Sequence, residues 1–209
     1  MPTPGEIVVG LERISNDWRW LSVLWHGYFA VFIVALIFGV RPSRRTTGML
    51  LALPLLSVSI LAWFHGNPFN GGFFGIATAI LVIASVRLRG AVHVGPPWFV
   101  IVGVLMAGFG WLYPHFLVNA NLVQYVYSAP TGLIPCPTTS IIIGISLILT
   151  GLDSRSWCLT LACVGLFYGV FGAARLGILI DSTLVAGALV IVYAGIYQHP
   201  GDSPKVNVR

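Results

Sequence analysis

Charged side chains are scarce in this sequence. Of its 209 residues, 11 are Lys or Arg and 6 are Asp or Glu, so charged residues make up only 8% of the chain. A water-soluble domain carries charge on about a quarter of its residues, and a soluble fold would have too few charges here to cover its surface. Hydrophobic residues make up 57% of the chain, and the mean hydropathy is +0.91. This composition predicts an integral membrane protein.

The alternating pattern of a transmembrane β-barrel is also missing. Barrel strands alternate apolar and polar residues over about ten positions, whereas residues 31–40 and 141–149 form continuous apolar runs. Within a bilayer, backbone polar groups must be paired inside helices or a closed barrel. We therefore predict an all-α, polytopic transmembrane helical bundle that forms a single domain over residues 1–209.

Cysteine is rare as well, with three in the chain. Cys158 and Cys163 lie inside one apolar stretch, where cysteine usually behaves as a small hydrophobic residue. Residues 1–17 lack the basic start and short apolar core of a secretory signal peptide. We expect neither a disulfide framework nor a cleaved signal sequence.

Hydrophobic runs define about seven spans. A helix needs about 20 apolar residues to cross a bilayer, with a range of about 17–25. The predicted spans are residues 18–40, 47–64, 71–86, 96–113, 135–152, 157–174 and 182–198. Residues 115–131 are too polar to span, and residues 117–127 are predicted to form a short helix at the headgroups. The seven tryptophans fall near predicted span ends, where they would anchor the bundle at the membrane interface.

Basic residues gather on one side of this topology. The three on one side are Arg13, Arg19 and Arg175. The eight on the other are Arg41, Arg44, Arg45, Arg87, Arg89, Arg155, Lys205 and Arg209. The positive-inside rule then predicts that the N-terminus lies outside and the C-terminus inside, in the cytoplasm. Topology accounts for the net charge of +5, so no nucleic-acid partner is expected.

Polar groups of chemical interest collect at the predicted outer side. The candidate substrate-binding residues are His65, Asn67, Asn70, His115, Cys136, Thr138, Thr139, Arg175 and Asp181. Two of them, His65 and His115, end predicted spans at the same depth, and histidine is the commonest metal ligand. A metal site shared with Cys136 and two separate interfacial histidines are both compatible with this pattern. No spacing in the chain resembles a zinc motif, and no cofactor is expected.

Residues 130–139 form the most unusual segment, with three prolines among the sequence PTGLIPCPTT. Proline forbids helix in the residues before it and is tolerated in a first helical turn. Thr138 or Thr139 is predicted to bond back to free N–H groups at this helix start. The segment is either a rigid cap for the fifth span or part of a substrate or ion site, since a helix N-terminus can hold an anion.

Three charged residues near span ends have simple electrostatic interpretations. Arg175 and Asp181 border the turn between the sixth and seventh spans and are predicted to pair with each other. Asp17 is predicted to cap the first span, because an acid is favourable at a helix N-terminus.

Three stretches resemble a family of small bacterial multi-pass membrane proteins, catalogued as a domain of unknown function. They are WFHGNPFN at 63–70 with FFG at 73–75, GLIPCPT at 132–138 leading to Gly144, and GAA at 172–174 through Asp181 to VAG at 185–187. The resemblance covers residues 17–197 and implies a helical bundle in the bacterial cytoplasmic membrane, without an activity. Residues 132–137 are also similar to a stretch of nickel/cobalt efflux permeases, whose histidine- and aspartate-bearing helix motif has no counterpart in this chain.

Three classes of function remain open at this level. A small permease or channel for a small solute or ion would explain why polar residues cluster at one mouth. A structural or accessory subunit, with a membrane protein partner or a second copy of the chain, would explain why no charge lies convincingly at a span midplane. An intramembrane enzyme would need a nucleophile and a base, for which Cys136 and His115 are the sole candidates. We expect a permease or an accessory subunit and no enzyme.

Overall fold

A computed structural model describes residues 3–197 and shows an all-helical protein. Helix accounts for 79% of the described residues, which contain no strand. Within this range there are nine α-helices: α1 Pro4–Asp17, α2 Arg19–Ile37, α3 Arg44–Phe64, α4 Pro68–Arg87, α5 Pro97–Leu112, α6 Leu122–Ser128, α7 Pro135–Ile148, α8 Arg155–Val170 and α9 Ser182–Tyr197.

Within residues 3–197, five helical segments are long and apolar enough to cross a membrane. They are Arg19–Ile37, Arg44–Phe64, Pro68–Arg87, Arg155–Arg175 and Leu179–Ile196. This confirms the predicted helical membrane architecture, but the count of seven spans is not confirmed. Helices α5 and α7 have 16 and 14 residues, and at 1.5 Å per residue they reach about 24 and 21 Å, short of a hydrocarbon core about 30 Å thick. Of the seventh predicted span, Gln198 lies outside the described residues, as do Lys205 and Arg209.

The helices pack mainly as three pairs, α3 with α4, α5 with α7, and α8 with α9. Helix α7 is at the centre, with each of its residues from Pro135 to Leu147 buried. Small residues let α5 and α7 approach closely, as is usual in membrane bundles. A Cβ atom at Gly110 would lie 2.5 Å from the Pro137 carbonyl oxygen, and one at Gly103 would lie 2.6 Å from that of Gly144. The core is therefore filled along this helix pair.

Helix α1 is an element that the sequence analysis left without structure. Thr3 caps it: the Thr3 hydroxyl accepts from the Glu6 N–H at 3.3 Å, and the Glu6 carboxylate accepts from the Thr3 N–H at 2.7 Å. The backbone and hydroxyl hydrogen bonds from Thr3 hold the pKa of the Glu6 carboxyl below its usual range. Leu11 and Ile14 are buried on one face of the helix, and Val9 is exposed on the other. The helix is thus amphipathic and lies against the bundle.

The predicted capping role of Asp17 is wrong. Asp17 is the last residue of α1, and the N-cap of α2 is Trp18, which makes no side-chain capping bond. Asp17 pairs instead with Arg13, one turn earlier, at 3.5 Å. The sequence analysis began the first span at residue 18 without a preceding helix, so it placed this acid at a helix start when it lies at a helix end.

One end of the bundle, which we call the basic end, is formed by the loops after α2, α4 and α7. Arg44 forms an ion pair with Asp153, and the Gly95 N–H donates to the Ile148 carbonyl at 2.9 Å. His93 approaches the same Asp153 carboxyl group at 3.7 Å. The turn Thr150–Asp153 has left-handed backbone angles throughout. These contacts join the predicted cytoplasmic loops into one structure.

The opposite end, which we call the polar end, contains α1, α6 and the turns after α3, α5 and α8. Helix α6, Leu122–Ser128, overlaps the short helix predicted at residues 117–127 and is capped by Asn121. Ser128 accepts from the Arg19 side chain at 3.2 Å, and the Trp111 indole donates to the Val126 carbonyl at 2.7 Å. The segment around α6 is therefore packed against α2 and α5.

Candidate functional site

A fully buried carboxyl group, that of Asp181, lies at the polar end. Its Oδ1 atom accepts from the Tyr113 hydroxyl at 2.7 Å, and its Oδ2 atom accepts from the Cys136 thiol at 3.1 Å. The exposed fractions of Asp181 and Tyr113 are both 0%, and that of Cys136 is 9%. Three parts of the chain thus meet at one acidic group: the end of α5, the start of α7 and the turn before α9.

The local backbone makes room for this carboxyl group. Asp181 ends a 3-10 turn, Leu179–Asp181, immediately before α9. Opposite it, α8 widens into a π-helical segment, Phe171–Arg175, in which the Leu176 N–H bonds back to the Phe171 carbonyl at 3.2 Å. A Cβ atom at Gly172 would overlap the Asp181 carboxyl group, so this position requires glycine. π-helical turns inside α-helices frequently mark functional sites.

A second buried polar pair lies beside the first. The Tyr168 hydroxyl, on α8, donates to the Asn70 Oδ1 atom at 2.8 Å, in the first turn of α4. The exposed fractions are 4% for Tyr168 and 9% for Asn70. Asn67 caps the same helix, with its side chain accepting from the Asn70 N–H at 3.0 Å. The cap fixes where α4 begins, and so fixes the depth of Asn70.

Both polar pairs contribute to one small cavity of about 20 Å³. A cavity of about 10–15 Å³ is enough for one water molecule, so this space fits a particle of roughly that size. Most of the wall is apolar or aromatic. The lining residues are Ile7, Leu11, Asn70, Phe116, Ile134, Pro135, Cys136, Tyr168, Phe171, Gly172, Leu176, Ile178 and Asp181.

Helix α1 forms the outer wall of the cavity through Ile7 and Leu11. Asn16 fastens its last turn to the loop after α5: the Asn16 amide donates to the Phe116 carbonyl at 2.9 Å and accepts from the Val118 N–H at 3.2 Å. These two bonds hold α1 over the Asp181 site.

Of the nine predicted site residues, the structure brings Asn70, Cys136 and Asp181 together on the cavity wall. His65 lies outside it, where its Nε2 atom accepts from the Trp18 indole at 3.0 Å, facing an open groove beside α1. His115 packs edge-on against Phe116, with ring centres 4.6 Å apart. The two histidines are therefore not on the wall of the same cavity.

The two predicted threonines are buried, each in its own way. Thr138 braces the proline-rich loop: its hydroxyl accepts from the Gly132 N–H and donates to the Ile134 carbonyl, both at 2.7 Å. The bond to Gly132 shows that Thr138 bonds back to a backbone N–H, but to one in the loop before the helix. Thr139 is fully buried, and its hydroxyl makes no hydrogen bond within the described residues.

The predicted ion pair between Arg175 and Asp181 is not formed. Arg175 ends the π-helical segment with an exposed side chain, whereas Asp181 is buried and bonded to Tyr113 and Cys136. The two residues flank the same turn, but they face different environments. The sequence distance between them gave no information on which of the two would point inward.

The sequence analysis did not assign Tyr113, Tyr168 or Gly172 to the site. Tyr113 was visible as a polar residue at a predicted span end, and Tyr168 as a hydroxyl within an apolar span. Gly172 resembled the many small residues that simply allow close helix packing. Only the folded arrangement distinguishes these three from their neighbours.

Across residues 3–197, no group of three or more His, Cys, Asp or Glu side chains is placed to hold a metal ion. The metal site considered for His65, His115 and Cys136 is therefore not assembled in this structure. The Cys136 thiol is instead a hydrogen-bond donor to Asp181.

Comparisons of this chain with protein-family models, with curated proteins and with solved structures gave no match.

Proposed function

We propose that this chain is a small permease or channel of the bacterial cytoplasmic membrane that moves a small solute or ion. The observation that carries the proposal is the buried Asp181 carboxyl group on the wall of a cavity at the polar end. An ionisable side chain within a membrane bundle is costly and usually marks a substrate or ion pathway. Nothing in the packing of an ordinary helical core requires a carboxyl group at this place.

The proposed topology has seven spans, with α5 and α7 crossing as short helices inside the bundle. The polar end then faces outward and the basic end faces the cytoplasm. Support comes from the arginines at the basic end, where Arg44 pairs with Asp153 and Arg155 begins α8. Arg41, Arg45, Arg87 and Arg89 belong to the neighbouring loops and helix ends. The positive-inside rule assigns such an end to the cytoplasm.

The described conformation would be a closed one. The cavity is small, and every residue of α7 from Pro135 to Leu147 is buried. Transport would require movement of α1 above the cavity or of the π-helical segment Phe171–Arg175 beside it. The tight α5–α7 contact at Gly110 and Gly103 is the part that would stay rigid.

The proposal is tested by electrical recording from proteoliposomes on a solid-supported membrane, with rapid exchange of small cations, anions and neutral solutes. We expect a transient current for at least one charged solute, abolished in Asp181→Asn. The matched control is Asp17→Asn, since Asp17 is exposed and only pairs with Arg13. Absence of any current from correctly folded wild-type protein, or an equal current in Asp181→Asn, would count against a role of this site in transport.

A second candidate is an accessory subunit of a membrane assembly. It is favoured by the incomplete covering of α2, of which 22% is buried, against 39–56% for the other four long apolar segments. A partner helix could cover this surface as well as lipid. Purification in a mild detergent with a stoichiometric partner, lost when α2 surface residues such as Val31 are changed to bulky Trp, would favour this alternative.

A further inference from the structure

The wall of the Asp181 cavity includes one carboxyl group, and none of its lining residues is Lys, Arg or His. His115 lies outside the wall but interacts electrostatically with Asp181. The exposed Arg175 is nearby in sequence but belongs to a separate surface groove. Asp181 is the one carboxyl group on this wall, and in its ionised form it attracts a positive charge and repels an anion.

The hydrogen-bonding capacity left on the polar side chains around the cavity consists mainly of acceptors. The Tyr113 hydroxyl and the Cys136 thiol both donate their hydrogen bonds to Asp181, and the Tyr168 hydroxyl donates its hydrogen bond to Asn70. An ionised carboxylate has about four lone-pair sites, so Asp181 retains about two, and a carbonyl-type oxygen such as Asn70 Oδ1 retains a second one. The Asn70 NH₂ group is the remaining side-chain donor. A ligand rich in N–H donors complements this wall.

Size restricts the ligand further. The cavity of about 20 Å³ fits one particle of the size of a water molecule. An ammonium ion has about this size and carries four N–H donors. Methylammonium is one methyl group larger than this space, so as a labelled analogue it would require Ile7 and Leu11 on the α1 wall to move.

Aromatic rings make up much of the remaining surface. Phe116, Tyr168 and Phe171 line the cavity together with Asp181. Aromatic faces attract ammonium groups through cation–π interactions, which strengthen when the cation is desolvated. Alkali-metal ions instead need a shell of several oxygen atoms to replace their water, and a wall made mostly of carbon does not supply one. A divalent ion such as Mg²⁺ or Ca²⁺ takes about six or more oxygen ligands, which this wall does not supply either.

We propose that the cavity beneath α1 binds a single ammonium ion, NH₄⁺, with Asp181 as its counter-ion and Phe116, Tyr168 and Phe171 as its aromatic contacts. The claim that this cation is transported rests on the permease function proposed above. The claim that it binds rests on the cavity alone. Binding and transport are therefore measured separately.

Binding is tested by the thermal unfolding of detergent-purified protein in ammonium chloride and in methylammonium chloride, with sodium and potassium chloride at equal ionic strength as references. A ligand that binds only the folded state raises the unfolding temperature by mass action. We expect a rise that grows with ammonium concentration and is absent in sodium and potassium. It should disappear in Asp181→Asn and persist in Asp17→Asn.

The contribution of the aromatic wall is tested with a matched pair at one position. Tyr168→Phe keeps the ring and loses the hydroxyl, whereas Tyr168→Leu loses both. We expect the ammonium-dependent shift to persist in the Phe variant and to fall sharply in the Leu variant. Phe171→Leu provides the same test if Asp181→Asn does not fold. Equal shifts with sodium, or shifts unaffected by Asp181→Asn and by loss of the rings, would overturn the proposal.

Uptake of radiolabelled methylammonium into proteoliposomes then separates the two proposals. Selective binding with concentrative or downhill uptake supports both. Selective binding without uptake leaves the ammonium site standing and removes its role in transport. Movement of another solute without ammonium-dependent stabilisation overturns the ammonium site and leaves the permease function standing.

Discussion

Tyr113 and Asp181 are separated by 68 positions in the chain, and the Tyr113 hydroxyl donates to Asp181 Oδ1 at 2.7 Å. Both side chains are fully buried. The bond joins the end of α5 to the turn that starts α9, two elements that otherwise share few contacts. Because an unpaired buried polar group is strongly destabilising, this hydrogen bond stabilises the packing of the polar end.

Tyr113→Phe should destabilise the protein. It keeps the ring but removes one of the two side-chain donors to Asp181. Leaving a buried acceptor unsatisfied costs about 1–3 kcal/mol. We expect the free energy of unfolding to fall by about this amount, seen as a lower unfolding temperature. Tyr125→Phe is the control, since the Tyr125 hydroxyl reaches the Leu117 carbonyl only at 3.5 Å. Equal effects of the two substitutions would contradict the assigned role of Tyr113.

Gly110→Ala should loosen the α5–α7 contact. A Cβ atom at this position would lie 2.5 Å from the Pro137 carbonyl oxygen and 2.6 Å from the Ile141 nitrogen, both parts of the backbone, which cannot rotate away. Overpacking of this kind costs about 1–3 kcal/mol. Gly108→Ala, on the same helix, meets nothing within 4 Å and should be neutral or slightly stabilising. Unfolding in detergent measures both, and a harmless Gly110→Ala would show that the helices can move apart freely.

Asn16→Ala should make Cys136 more accessible. Asn16 makes two hydrogen bonds to the loop after α5, and α1 covers the cavity on which Cys136 lies. Loss of about 1–2 kcal/mol from the closed state would raise the open population about 5- to 30-fold. The rate of Cys136 labelling by a small maleimide, assigned by peptide mass spectrometry, measures this opening.

Val9→Ala is the matched control for that experiment, because Val9 lies on the exposed face of the same helix. We expect its labelling rate to equal that of the wild type. If Asn16→Ala also leaves the rate unchanged while Cys136 reacts readily, reagents reach the cavity by a route other than beneath α1.

Much of the helical pattern could be predicted from sequence, because a long apolar run is a local property. Helix α1 was missed although its signals are local too. Thr3 and Glu6 form a capping box with Pro4 at the first helical position, and Ile7, Leu11 and Ile14 recur at helical spacing. Helix α1 is amphipathic and has only 14 residues, so it lacks the run of about 20 apolar residues that marks a span. The error at Asp17 followed from that omission.

The membrane orientation can be checked with two single cysteines and a membrane-impermeant maleimide. Val118 is 56% exposed in the turn after α5, and Arg89 is exposed in the loop after α4. In cells with a permeable outer membrane, Val118→Cys should be labelled directly and Arg89→Cys only after lysis, on a background with the exposed Cys163 replaced by Ala. The reverse pattern would place the basic end outside.

The sequence could identify candidate site residues, but not which of them lie together in the folded protein. Asn70, Cys136 and Asp181 were all candidates, but so were His65 and His115, which lie off the cavity wall. What separates the two groups is the packing of α1, α4, α7 and α8 around Asp181, and helix order in space is not encoded in any local pattern. The same holds for Arg175: the sequence shows its charge, but not that its side chain is exposed and points away from Asp181.

Helix α7 has a consequence for how the protein would respond to its lipids. Every residue from Pro135 to Leu147 is buried by other helices, so acyl chains do not reach this helix. Hydrophobic mismatch acts only on surfaces that lipid touches. A thicker or thinner bilayer would therefore change the tilt of the lipid-facing helices, α2 most directly, while α7 and the Cys136–Asp181 bond at its first turn keep their geometry. Because α7 is surrounded by protein and not by lipid, the thickness of the bilayer does not set a minimum length for this helix.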